Sequence, residues 1–263
     1  MTHGMTTLVA GIATAALAIS GSAMAGTPSR TFLQPRLAVG ERMTHVFSRA
    51  ISIEGEGFKE YVIRISGTAR DTVLSIEPQG ITLQEHYRYD GHAASSGRWK
   101  ILADGVTHCW KGRCSIDRDT SGIIFSHQLW GHVPENIHVG STWTATIAEP
   151  WELGPPGKET VRVVGIAPAR HVVTLVRTGS GDYKAGDGPT RAITITTSDG
   201  KALEVTVKPG ASRWRGRTIV RDGIIVGDTI MVTRHVTLVS ASGRTFSGEE
   251  RAYTLENLLQ DRT

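Results

Sequence analysis

Trp99, His108, Trp110 and Arg113 are the residues of this chain whose types and spacing come nearest to a binding surface. They lie in residues 99–117, where two β-prone runs are each followed by a dipeptide ending in glycine, Asp104-Gly105 and Lys111-Gly112. Glycine reaches positive φ at little cost, so both dipeptides predict tight primed turns and the stretch predicts a three-stranded meander. Counting back from the first turn sets Trp99 opposite Trp110 and Ile101 opposite His108; counting from the second sets Trp110 opposite Arg113. Residues facing one another across strands share a sheet face. Exposed, that face would be a stacking platform for a sugar ring, with Arg113 and His108 as polar contacts. Buried, it would be core, with the Arg113 guanidinium over an indole at roughly 0.5–2 kcal/mol.

The chain's two cysteines, Cys109 and Cys114, fall opposite each other in the same hairpin, at a non-hydrogen-bonded position. Cα atoms there are about 4.5 Å apart, at the short end of disulfide geometry. A bridge closing so short a loop contributes about 2 kcal/mol on the chain-entropy picture. The spacing is not Cys-x-x-Cys, and zinc would need two further ligands, so a structural disulfide is expected.

A second cluster is Arg213-Trp214-Arg215-Gly216-Arg217. In an alternating strand Arg213, Arg215 and Arg217 point one way and Trp214 the other. The three arginines are an anion-binding candidate or a solvated face over a buried indole. In a cytoplasmic protein the pattern would suggest nucleic acid; an exported chain would meet acidic glycan or lipid phosphate instead.

Nothing else in the sequence assembles a reactive group. His127, His132 and His138 cluster loosely, with His86, His92 and His108 upstream, but no His-x-His or His-Glu-x-x-His fixes them as ligands. Glu149, Glu152 and Glu159 bracket a Pro-rich loop, but the sequence sets no carboxylate separation by which to read a glycosidase. No Gly-x-Ser-x-Gly, phosphate-cradling loop or dinucleotide fingerprint is present. No catalytic residue, metal site or cofactor is therefore expected.

The elements that must carry these residues begin after a leader. Residues 1–25 contain an uncharged apolar run, too short to span a bilayer, ending in Ser22-Ala23-Met24-Ala25, which fits signal-peptidase cleavage before Gly26. Removing 25 of the 263 residues leaves 238, enough for one large β domain or two smaller ones. Export would oxidise the cysteines and places the protein in the periplasm or outside the cell. The net charge of +4 suits an anionic envelope surface or simply an Arg-rich exterior.

From residue 38 onward, runs rich in Val, Ile and Thr alternate with polar residues and are punctuated by turns such as Asp199-Gly200 and Asp222-Gly223. The expected fold is all-β: antiparallel meanders and hairpins forming a curved sheet, an incomplete barrel or a sandwich. Residues 26–37 read as a flexible arm, 38–136 as one β unit and 137–263 as a second, with a single continuous domain as the alternative. Leu255, Leu258 and Leu259, behind Thr254 as a cap, predict one short C-terminal helix. Val39-Gly40, Val139-Gly140 and Val226-Gly227 each precede a large apolar strand residue. The Val-Gly-x-x-Trp form, Val139 to Trp143, resembles a strand opening of uncharacterised exported bacterial β proteins; it covers five residues and carries no activity with it.

The function expected from these features is non-catalytic binding of an apolar, amphipathic or glycan-type ligand in the envelope. A surface interaction module without a small ligand is the alternative, and a secreted hydrolase the third reading. A membrane-spanning barrel is not expected, because the β-prone runs are mostly shorter than the 9–11 residues such strands need and their alternate residues are often charged.

Overall fold

A computed structural model describes residues 32–102, 108–110, 113–115, 123–125, 130–147, 154–183, 188 and 190–259. The leader at 1–25, both meander turns, His127, Glu149 and Glu152 lie outside the described residues. The chain is all-β. Its strands are β1 (Arg42–Gly55), β2 (Tyr61–Glu77), β3 (Gly80–Tyr89), β4 (Ser95–Leu102), β5 (His108–Trp110), β6 (Arg113–Ser115), β7 (Thr142–Ile147), β8 (Gly157–Ala167), β9 (Val172–Gly181), β10 (Arg191–Thr196), β11 (Ala202–Arg221), β12 (Ile224–Ser240) and β13 (Thr245–Leu259). Eleven of them form one antiparallel sheet in the order β4-β3-β2-β1-β13-β12-β11-β9-β8-β7, with β10 on the free half of β11. The sheet does not close: β4 and β7 are its edges.

The expected C-terminal helix is absent. Residues 254–259 continue β13, which is held on both sides, Thr254 facing Arg49 of β1 and Ile230 of β12. A central strand satisfies its backbone in two ladders, and that pairing overrides a local i, i+3, i+4 leucine pattern. The underlying alternation was obscured because its inward positions include Glu250, Thr254 and Glu256 as well as Ala252. Strand length also differs from expectation. Runs that read as separate in sequence join into β11, 20 residues long, and β12, 17 residues long, so shortness of strands no longer counts against a membrane barrel. Pro209 is tolerated inside β11 because it sits at a register shift between Pro209 and Ser212, where the ladder is already interrupted.

Turn chemistry holds where it is described. Asp222 (φ 49°) and Gly223 (φ 71°) make the two-residue turn between β11 and β12, as the Asp-Gly signal requires. Two of the three Val-Gly pairs share one structure. Gly40 and Gly140 both have positive φ, and their N–H groups donate to Val73 O and Val163 O, each at 2.8 Å. Both partners lie beside register shifts, Val73/Ser75 and Val163/Gly165. The openings of β1–β2 and β7–β8 are thus the same device used twice, whereas Gly227 is an ordinary position within β12.

The sheet rolls at both ends. At one end Phe58, in the β1–β2 connection, bridges Thr197 beyond β10; Lys59 N donates to Thr196 O at 2.7 Å and Ser198 N to Gly57 O at 3.0 Å. Phe58, Ile53, Ile193, Val205, Leu238 and Phe246 fill that end. At the other end the β11–β12 turn receives two passing segments: Gly223 N donates to Phe32 O and Phe125 N to Gly223 O. Ile123 and Ile124 pack with Met43, Val73, Leu83 and Ile101 of the β1–β4 wing, while Phe125 packs with Trp130 and with Trp143 and Val161 of the β7–β9 wing. Phe32 and Leu33, in the segment expected to be a free arm, are buried there.

Candidate functional site

Between the two apolar ends, the inward rows of the sheet carry a belt of buried charge. Successive strands place Thr218, Asp228, Glu256 and Phe47 in one row. His45, 2% exposed, lies one inward position along β1 and joins Asp71 to Glu256: Nε2 to Oδ2 at 2.5 Å and Nδ1 to Oε1 at 2.7 Å. Burial by itself pulls the imidazole's pKa down, but the hydrogen bonds to Asp71 and Glu256, reinforced by their charges, push it up to about 10. At neutral pH His45 is an imidazolium with both nitrogens donating. It has no lone pair left for a metal or for general-base work.

Asp228 is held in turn by Arg177 Nη2 at 2.6 Å and Thr218 Oγ1 at 2.5 Å. Arg177 is fully buried, its guanidinium 5.0 Å from the Trp130 ring centroid. Gly216 faces it across the ladder and leaves room for it; a Cβ there would sit 2.8 Å from Arg177 Nε. Gly179 does the same for Trp214, whose Nε1 donates to Glu159 Oε2 at 2.8 Å. Each glycine gives up its own side chain so that a large neighbour can cover the backbone. Glu159, expected beside the Pro-rich loop as a possible acid, is a buried acceptor in this belt.

The inward face of the β1–β3 wing is different. Phe47, Ile51, Ile63, Ile65, Tyr87 and Tyr89 occupy adjacent inward positions there. Nearer the Ile123–Ile124 plug this wing is covered. Farther along, Ile51 packs against the Trp214–Ile230 cluster and Phe47, Ile65 and Tyr87 are half-buried, while Ile63 is 38% and Tyr89 40% exposed, so this apolar-aromatic wall is partly open to solvent. Phe47 and Tyr89 meet edge to face at 5.4 Å, and Tyr89 meets Tyr87 likewise at 5.6 Å. Arg49, half-buried in the same wall, donates from Nε to Thr254 Oγ1 at 3.4 Å. The wall escaped sequence reasoning because its residues come from three strands and read as ordinary alternation; only the register assembles them.

The sequence candidates fall elsewhere. Trp99, half-buried, pairs with Leu83 on β3 and donates its Nε1 to Glu85 Oε2. β5 and β6 form a separate two-stranded ladder, in which Trp110 faces Arg113, Cys109 faces Cys114 and His108 faces Ser115, the register derived from the Lys111-Gly112 turn. Among the described residues no ladder joins β4 to β5, although the two strands lie close together, and the Asp104-Gly105 turn on which the Trp99–Trp110 row depends lies outside the described residues. Arg213, Arg215 and Arg217 are exposed on the outward face of β11, and Trp214 is buried on the other. Among the described residues no group of three or more His, Cys, Asp or Glu side chains is placed to hold a metal ion.

No family model matches the chain, and no curated protein matches it. Among solved structures it aligns with a protein of unknown function from the DUF3598 family of Nostoc punctiforme, at 9% identity over 87% of this chain and 98% of that one, with a TM-score of 0.16. At that TM-score the alignment decides nothing about this chain.

Proposed function

We propose that this chain is an exported, non-catalytic binding protein of the cell envelope, periplasmic or secreted, which holds an apolar or amphipathic ligand against the inward face of its rolled sheet. One observation supports the reading: the partly exposed apolar wall of Phe47, Ile63, Ile65 and Tyr89 on the inward face of a sheet whose two ends are plugged by apolar clusters. Apolar surface on the inner side of an unclosed sheet is where an acyl or ring-containing ligand gains most from leaving water. Arg49 within the wall suits a ligand with an acidic head, such as an envelope lipid. The apolar run and the Ala23-Met24-Ala25 cleavage pattern within 1–25 support export, and the cross-strand register of Cys109 with Cys114 supports a disulfide made there.

The reading does not need catalysis. His45, whose pKa is raised on the inward face, has both nitrogens engaged and does not itself serve as a general base. A sheet that stays unclosed and is cationic on its outward side also does not suit the lipid-facing wall of a membrane barrel. The test is native mass spectrometry of the chain expressed with its leader and purified from the envelope without detergent. A co-purifying mass that extraction with organic solvent removes is the expected result. A bare mass, together with no uptake of lipid extracted from the same cells, would reject the ligand and leave the surface-module alternative.

A further inference from the structure

The opposite face of the sheet has an organisation that a ligand on the inner wall does not use. Three successive outward rows cross β7, β8, β9, β11, β12, β13, β1 and β2 without a break in register. Of the 24 positions in these rows, seven are Lys or Arg, eleven are Ser or Thr, and none is Asp or Glu. The carboxylates of the same strands mostly point the other way: Glu159, Asp228, Glu250 and Glu256 are buried on the inward side. Most acids of these strands thus face inward, while these seven bases face outward; the inward bases Arg177 and His45 are each paired with buried carboxylates.

The cations are also free to act. Arg64, Lys158, Arg162, Arg213, Arg215 and Arg217 are exposed and have no acidic partner among the described residues. Arg251, the seventh, is tied to Glu249 and Glu54 at the margin. Arg213, Arg215 and Arg217 stand on one strand at intervals of about 7 Å, from a rise of about 3.4 Å per residue. Arg162 lies two strands to one side of Arg217 and Arg64 four strands to the other side of Arg215, about 10 and 19 Å away at roughly 4.8 Å per strand. This is a line and a field of charges spread over the outward face of the sheet.

We propose that this outward face docks an acidic polysaccharide, a linear polymer bearing carboxylates along a hydroxyl-rich backbone. Evenly spaced guanidinium groups suit planar carboxylates, which arginine holds bidentately. The Ser and Thr rows between them offer donors and acceptors matched to sugar hydroxyls. Single-stranded nucleic acid would call for aromatic platforms between the cations, and Tyr253 is the one aromatic residue in the three rows. A bilayer would call for apolar side chains that reach past the arginines; Val62 and Tyr253 are exposed here, but Met231 and Leu255 are half-buried.

The test uses the full processed chain and polygalacturonate as probe, with neutral dextran, phosphatidylglycerol vesicles and a single-stranded DNA oligomer alongside. Polygalacturonate binding should weaken with salt, and R213Q/R215Q/R217Q should cut affinity at least tenfold while lowering the slope of log K against log salt by up to about 3. R213K/R215K/R217K, which keeps charge but not the planar fork, should fall between wild type and the Gln variant. Unchanged thermal midpoints in both variants show that the fold is intact. Absence of polygalacturonate binding, binding that the Gln variant retains in full, or equal or tighter binding to vesicles or DNA would each overturn the proposal. Because none of these substitutions touches the inner wall, the result stands apart from that of the ligand test above.

Discussion

Replacing His45 with leucine tests the buried belt most sharply. The imidazolium is 2% exposed and makes charged hydrogen bonds of 2.5 and 2.7 Å to Asp71 and Glu256, whose side chains are 5% and 9% exposed. Losing two neutral hydrogen bonds would cost about 1–3 kcal/mol in all. Here the substitution also strands two buried carboxylates, and breaking a buried ion pair costs about 3–5 kcal/mol, so the larger figure governs. Urea unfolding followed by tryptophan fluorescence at pH 7 should show His45→Leu less stable than wild type by that amount, with most of it recovered in H45L/D71N/E256Q. The pH dependence has a definite sign. The folded pKa, about 10, is raised above the 6.5 of an ordinary histidine, so the contribution is full below pH 6.5 and fades as pH rises toward 10. The stability gap between wild type and His45→Leu should narrow over that window. A gap below about 1 kcal/mol at pH 7, or one that does not change between pH 6.5 and 10, would refute the ion-triad account.

Other expectations follow from single contacts. Gly179→Ala places a Cβ inside the Trp214 indole and should cost about 1–3 kcal/mol by overpacking, with G179A/W214L less destabilised than the sum of its parts when both are measured by urea unfolding. Arg177→Met leaves Asp228 with Thr218 as its remaining hydrogen-bond donor of the two described above, and should lower stability by about 3–5 kcal/mol; adding Asp228→Asn should restore part of it. Cys109→Ser with Cys114→Ser should lower stability by about 2 kcal/mol in protein expressed with its leader, and non-reducing peptide mapping of wild type should return one linked peptide pair.

What could be read from the sequence was what local chemistry decides. The Asp222-Gly223 turn and the Cys109–Cys114 register follow from short-range rules, as does the split of Arg213, Arg215 and Arg217 from Trp214, and the structure has all three. The leucines after Thr254 misled because a helical spacing in a short segment competes poorly with ladders on both sides. The inner wall and the acid belt depend on which strands are neighbours. Pairing β1 with β13 brings Phe47 beside Glu256, 209 positions away in the chain, and no local pattern announces that. The Val-Gly echo is intermediate: the repeat is visible in sequence, but positive φ at Gly40 and Gly140 and their matching hydrogen bonds separate these two copies from Gly227.

The most direct measurement is displacement of a single-chain alkyl fluorophore bearing a carboxylate from processed wild-type protein and from I63D/I65D. Burial of an isoleucine is worth about 1.5–3 kcal/mol, so losing two from the wall should weaken uptake tenfold or more. Saturable uptake by wild type that the double variant loses is the result expected of a wall that holds an amphipathic ligand. No saturable uptake by wild type, or equal uptake by both proteins, would contradict it.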